Sequence, residues 1–160
     1  MSVSKKLIID IARLDDGGER YAGELDATAL DLVLGDDLVV PASNLAYDLM
    51  VEQIGEELLV RGRADMEINC VCSRCAKTFQ QHVEDPAIFT AYSLSEDPEF
   101  MDLTDELREA MILIFPPYPV CGENCRGLCA QCGANLNNVV CKCKPEGADA
   151  RWGALDGLKL

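Results

Sequence analysis

Histidine, the side chain that most often moves protons near neutral pH, occurs once in these 160 residues, as His82. Its neighbours Gln81 and Val83 supply no catalytic frame. No G-x-x-x-x-G-K-[ST], H-E-x-x-H or G-x-S-x-G motif is present, which argues against phosphate-loop, zincin and α/β-hydrolase chemistry. Zinc deaminases pair P-C-x-x-C with an upstream H-x-E, whereas here Leu128 precedes Cys129 and no such partner exists. The chain therefore reads as a non-enzyme without a small-molecule substrate. Long apolar runs are lacking too, and none approaches the ~20 residues of a membrane span. Asp10 interrupts the amino-terminal apolar run where an export signal needs continuity. A cytoplasmic protein with reduced thiols and no membrane partner is the expectation.

Basic residues are also scarce, with 14 Lys and Arg against 28 Asp and Glu for a net charge of −14. Residues 1–60 carry 13 acids and 4 bases, whereas residues 121–160 carry 4 acids and 5 bases. Such a balance disfavours unaided binding to phosphate backbones and favours basic partners, although solubility alone is a common reason for an acidic surface. Repeats, low-complexity tracts and Pro/Ser linkers are missing, and 49% of residues are apolar, so a single folded body with a real core is expected.

Cysteine is what the chain has in excess. Six of nine cysteines fall between Cys121 and Cys143, with gaps of 3, 3, 2, 8 and 1. Cys129-x-x-Cys132-Gly133 predicts a knuckle in which backbone N–H groups face the sulfurs and glycine takes positive φ. With Cys141 and Cys143 it forms C-x2-C-x8-C-x-C, a shortened zinc-ribbon spacing, and four thiolates suit a closed structural Zn²⁺ site. Cys125 substitutes for Cys141 or Cys143 if those two cannot converge on one ion. A second all-thiolate site arises if Cys72 and Cys75 meet Cys121 and Cys125, leaving Cys70 over. The alternative for Cys72 and Cys75 is that they flank a hairpin turn. An odd cysteine count and a reducing compartment weigh against disulfides.

Periodicity predicts an α+β fold. Strands are expected over 5–14, 44–53, 57–71 and 77–84, the last three forming an antiparallel β-meander with Leu58, Val60, Ala64, Met66, Ile68 and Cys70 on its core face. Residues 86–99 read as irregular. Leu103, Leu107, Ala110, Met111 and Ile114 predict an amphipathic helix over 103–115 that packs on the meander, capped by Asp102 or Thr104 and stopped by Pro116-Pro117. The resulting organisation is a body over 1–118, a cysteine-rich zinc-binding module over 119–145 and a tail over 146–160.

Four segments together resemble one known family: CVCSRCAKTF (70–79), FMDLTDELREAMILIFP (100–116), PVCGENCRGLCAQCGANLN (119–137) and ADARWGALDGL (148–158). The likeness is to the YceD-like, or large ribosomal RNA subunit accumulation, proteins. The resemblance implies a bacterial or plastid ribosome-biogenesis role supporting 23S ribosomal RNA accumulation. It also implies a gene that commonly neighbours that of a small zinc-containing large-subunit ribosomal protein. The leading expectation is a non-catalytic assembly factor whose acidic body binds a basic large-subunit ribosomal protein. Its zinc module would touch a 23S precursor through Arg126, Lys142, Lys144 and Arg151. Alternatives are a zinc-binding nucleic-acid module acting outside ribosome assembly, and a thiol redox or metal-store protein.

Overall fold

The computed structural model describes residues 3–15, 17–32, 38–94 and 98–143. Among these residues the backbone is a curled, mostly antiparallel sheet closed on one side by one α-helix. Eight strands occur among the described residues: β1 (Val3–Ser4), β2 (Ile8–Asp10), β3 (Glu19–Leu25), β4 (Val39–Pro41), β5 (Leu45–Ile54), β6 (Glu57–Val71), β7 (Thr78–Ser93) and β8 (Phe100–Asp102). Helix α1 spans Thr104–Ile114.

β6 organises the sheet because both of its edges are used. One edge pairs antiparallel with β7 along nearly its full length. The other pairs with β5 over residues 57–65 and then with β4 over 68–70. β3 extends the sheet beyond β5, and β1 adds a short parallel pair on β3. The period-2 pattern explains the faces: Leu58, Val60, Ala64, Met66, Ile68 and Cys70 are buried, while Arg61, Arg63 and Asn69 are exposed.

α1 covers the inward face through Leu103, Leu107, Met111 and Phe115, all buried with the strand residues in one core. It packs on β7 and β6, and the Thr90 hydroxyl donates to Glu106 Oε1 at 2.9 Å. Its start differs from the expected capping. Thr104 Oγ1 accepts the Leu7 N–H at 2.9 Å in a buried contact, and Asp102 Oδ1 accepts the Thr104 N–H at 3.0 Å. These two contacts tie the helix start to β2 and β8, which pair antiparallel in their own two-stranded sheet. At the other end Phe115 is extended, as a residue before proline must be.

Two boundaries depart from the periodicity reading. The expected strand over 5–14 shortens to β2 and a 3-10 turn at Ile11–Arg13, because residues 5–7 carry the chain from β1 in one sheet to β2 in the other. β7 runs on to Ser93 through residues read as irregular. Between the pairs Gly62↔Ile88 and Ala64↔Asp85, β6 spends one residue where β7 spends two, so a bulge absorbs Pro86 and its missing N–H. The Asp85 carboxylate accepts the neighbouring Ala87 N–H at 3.1 Å. No helix among the described residues is long and apolar enough to cross a membrane.

Opposite the bulge, Gly62 lies against β5 so closely that a Cβ would run into the Asp48 carbonyl oxygen and sit 2.8 Å from Leu49 Cα. Backbone on a central strand cannot yield as a flexible side chain can. Gly62→Val should therefore destabilise the fold by more than about 2 kcal/mol, read as a lower urea midpoint at unchanged m-value.

Candidate metal centres

The β6–β7 turn is a cysteine knuckle. Cys72 N–H donates to Lys77 O at 2.9 Å and Ala76 N–H donates to Cys72 O at 2.8 Å, closing a loop that lifts Cys72 and Cys75 onto one side. The same pattern recurs 57 residues later, where Cys129 N–H donates to Ala134 O at 2.8 Å and Gly133 N–H donates to Cys129 O at 2.9 Å. In both knuckles the residue after the second cysteine has positive φ, +55° at Ala76 and +69° at Gly133. Glycine takes that conformation freely and alanine does so at a cost.

Each knuckle recruits two further cysteines. The sulfurs of Cys72, Cys75, Cys121 and Cys125 all lie within 4.8 Å of one another, as do those of Cys129, Cys132, Cys141 and Cys143. The nearest pairs are 3.9 Å for Cys72–Cys125, 3.6 Å for Cys75–Cys121, 3.6 Å for Cys132–Cys141 and 3.4 Å for Cys129–Cys141. A tetrahedron with ~2.3 Å metal–sulfur bonds has edges of about 3.8 Å, so both groups are placed to hold a metal ion. Cys125 thus belongs to the first group and does not replace Cys141 or Cys143. Cys70 joins neither: it is buried in the sheet core, and burial raises its thiol above the usual value.

Backbone amides set the electrostatics. Burial pushes Cys72 up, but the N–H groups of Cys121, Cys75 and Arg74 outweigh it and bring the thiol to about 6. The N–H groups of Cys132 and Gln131 likewise hold Cys129 at about 6. Neighbouring sulfurs act the other way on the last ligand of each arrangement. The contact with Cys75 pushes Cys121 up to about 12, and that with Cys141 pushes Cys143 up to about 12. Each group therefore offers one ready thiolate and at least one thiol that must lose its proton when metal binds.

The cysteine-rich segment after α1 is held by contacts beyond those between sulfurs. Ser73 N–H donates to Pro119 O at 2.8 Å and Cys121 N–H donates to Cys72 Sγ at 3.4 Å, docking the chain after α1 onto the hairpin tip. Arg74 donates to the carbonyls of Cys125 at 3.2 Å and Glu123 at 3.4 Å, while Arg74 O accepts Leu128 N–H at 3.0 Å. Asn137 joins the two groups: its Oδ1 accepts Arg126 N–H at 2.7 Å and its Nδ2 donates to Cys125 Sγ at 3.4 Å, although it sits in the loop between Cys132 and Cys141. Asn135 holds that asparagine in place, accepting both its N–H and its Nδ2–H.

Of the residues expected to meet a partner, Arg126 and Lys142 are exposed beside the thiol groups. Lys144 and Arg151, with the tail over 146–160, lie outside the described residues. Arg74, Ala76 and Asn137 escaped the sequence reading. The signal for the first two was the repeated C-x-x-C-[AG] frame, and for Asn137 the N-x-N of 135–137. His82 is exposed on β7, its Nδ1 3.0 Å from Glu67 Oε1, far from either thiol group in the strand register.

The paired knuckles permit a reciprocal test. Ala76→Gly should stabilise the metal-loaded protein by about 0.5–1 kcal/mol by relieving left-handed strain, and Gly133→Ala should destabilise it by about 1 kcal/mol. Thermal unfolding with metal in excess reads both, and equal effects of one sign would refute the shared geometry.

Residues 90–159 match the family model described as "Large ribosomal RNA subunit accumulation protein YceD". That segment opens within β7, includes α1, and carries all four cysteines of the second group with two of the first. The chain is 28% identical to an uncharacterized protein of Mycobacterium tuberculosis, over 96% of this chain and 81% of that protein. It is 34% identical, over 37% of this chain and 18% of the relative, to the chloroplastic Large ribosomal RNA subunit accumulation protein YCED homolog 1 of Arabidopsis thaliana. The corresponding protein of Zea mays is 44% identical over 28% of this chain and 16% of its own length. No solved structure matches. Through the carboxy-terminal segment that supplies the second thiol group and half of the first, this chain is similar to the YceD family.

Proposed function

We propose that this protein is a non-catalytic, cytoplasmic factor that supports accumulation of 23S ribosomal RNA during large-subunit assembly, with two structural zinc ions locking its carboxy-terminal third onto the sheet. The observation that carries the reading is the coincidence of the family match over residues 90–159 with the segment that supplies six of the eight paired cysteines. Zinc is favoured because four thiolates in a closed tetrahedral set suit it and leave no coordination position for substrate or water. The acidic first 60 residues, with 13 acids against 4 bases, favour a basic large-subunit ribosomal protein as one partner. Arg126 and Lys142, exposed beside the thiol groups, favour contact with a 23S precursor.

Purified reduced protein should carry about two zinc ions per chain, as measured by elemental analysis. Cys72→Ser with Cys75→Ser should lower that to about one, as should Cys129→Ser with Cys132→Ser. Because Cys75 and Cys121 in the first group, and Cys141 and Cys143 in the second, are all held above the usual thiol value without metal, binding at pH 7 should release on the order of two protons per ion. Calorimetry in buffers of different ionisation enthalpy measures that release. Retention should then fall as pH drops through about 6, where Cys72 and Cys129 take up protons. In cells, deletion should lower 23S ribosomal RNA and the wild-type chain should restore it; unchanged 23S levels on deletion would sink the assembly role.

A further inference from the structure

The sheet face turned away from α1 carries a row that neither thiol group nor core explains. Cross-strand register aligns Arg20 on β3 with Met50 on β5, Met50 with Arg61 on β6, and Arg61 with Phe89 on β7. Directly opposed residues of an antiparallel pair share a face, so these four side chains stand side by side. The next row sets Asp48 opposite Arg63, beside the Pro86–Ala87 bulge. Arg20, Met50, Arg61, Arg63, Pro86 and Phe89 border a groove of about 580 Å³.

Three features set this groove apart. Phe89 is 68% exposed although it lies within a long strand, an apolar ring with no core to fill. The three guanidinium groups gather here in a chain with two acids for every base. They are pinned but not used up: Arg20 donates Nε and Nη2 to Asp48 at 2.6 and 2.7 Å, Arg61 donates Nη2 to Glu52 at 2.8 Å, and Arg63 lies 3.9 Å from Asp48, beyond hydrogen-bond reach. Three cations thus face two carboxylates, with most of the N–H forks of Arg61 and Arg63 free for a ligand. Further along the same face the sign reverses, through Glu24, Asp65, Glu84 and Glu67.

We propose that this row binds single-stranded RNA, with Phe89 stacking on a base and Arg61, Arg63 and Arg20 contacting the phosphates beside it. The proposal rests on the large-subunit RNA reading above and names a site for it on the body. A flat exposed ring next to guanidiniums on an open sheet is the chemistry that holds unpaired bases without a groove-reading helix. Across four strands spaced ~4.8 Å apart the row is ~14 Å long, enough for about four stacked nucleotides. Duplex would extend its phosphates over the acidic rows and be repelled, and an acidic peptide would have no use for the ring.

The test uses the full-length, metal-loaded protein and a fluorescent ten-nucleotide oligouridylate or oligoadenylate at low salt, followed by anisotropy. Phe89→Ala should weaken binding about tenfold or more, since stacking carries much of single-strand affinity. Phe89→Leu, which keeps apolar bulk in the strand, should weaken it similarly. Arg61→Gln with Arg63→Gln should weaken binding and flatten its salt dependence, whereas Arg13→Gln, which removes an exposed cation outside the groove, should leave it nearly unchanged. Circular dichroism and metal content unchanged from wild type show that the variants are folded. No binding by the wild type, or binding indifferent to Phe89 and to the arginine pair, overturns the proposal. Tighter binding of a polyglutamate peptide through the same residues overturns it as well and assigns the groove to an acidic protein segment. Cellular 23S levels are a separate readout, so an assembly role without this site, or the site without an assembly role, would each be recognisable.

Discussion

The turn between β6 and β7 holds the two halves of the molecule together. Its two backbone hydrogen bonds, Cys72 N–H to Lys77 O and Ala76 N–H to Cys72 O, fix a knuckle at the end of the longest ladder in the sheet. The amides left inside that knuckle point at sulfur and hold Cys72 as a thiolate near neutral pH. The same loop presents the Ser73 N–H and the Arg74 carbonyl outward, and these capture Pro119 and Leu128 from the cysteine-rich segment. A segment poor in regular structure thereby acquires a rigid neighbour. Residues 116–143 contain neither helix nor strand beyond the isolated Leu128–Asn135 bridge, so thiol convergence and loop hydrogen bonds have to replace a hydrophobic core there.

The two thiol groups are built alike yet differ in setting. Cys72 and Cys75 are buried where the hairpin meets the segment after α1, while Cys132 and Cys143 are exposed. The first group closes contacts about 50 residues apart in sequence, and the second closes a loop of about a dozen. Loop-closure entropy grows only slowly with length, so the long closure is not much costlier; it gains more because it docks the whole segment on the sheet. Asn137 makes the groups interdependent. It belongs to the second loop, but its amide donates to Cys125 and its carbonyl oxygen accepts from Arg126, so ordering one loop orders a ligand of the other.

Much of this was legible in the amino-acid sequence, and the failures share a cause. Strand β6 reads directly because its period-2 pattern runs unbroken from Leu58 to Cys70, with one face buried. The second thiol group reads from spacing because its ligands are local. The far half of β7 does not, since Pro86 ordinarily ends a strand and only the bulge between the pairs Gly62↔Ile88 and Ala64↔Asp85 shows how it is tolerated. β3 hides for a similar reason: Arg20, Ala22 and Glu24 face outward and Gly23 interrupts the inward set, so its strand character comes from its pairing with β5. The docking of Thr104 on Leu7 and the reach of Arg74 to Cys125 are long-range hydrogen bonds whose partners no window of sequence displays, and the N-x-N of 135–137 marks Asn137 without naming the sulfur it meets.

Register also decides what the net charge means. A total of −14 describes attraction or repulsion at a distance, but contact is settled within a screening length of ~8 Å at physiological salt. Along β6, Arg61 and Asp65 are four residues apart, or ~13 Å on an extended strand, so Asp65 is largely screened from Arg61, whereas Arg63, ~7 Å from Asp65, marks the edge of the basic row. The local field of Arg20, Arg61 and Arg63 then outweighs Asp48 and Glu52, whose carboxylates serve mainly to hold two of the guanidiniums in place. An acidic surface elsewhere still acts, by repelling long phosphate arrays and admitting only a short strand that fits the row. Read this way, the acidic excess and the small basic row act together, restricting which polyanion reaches the sheet.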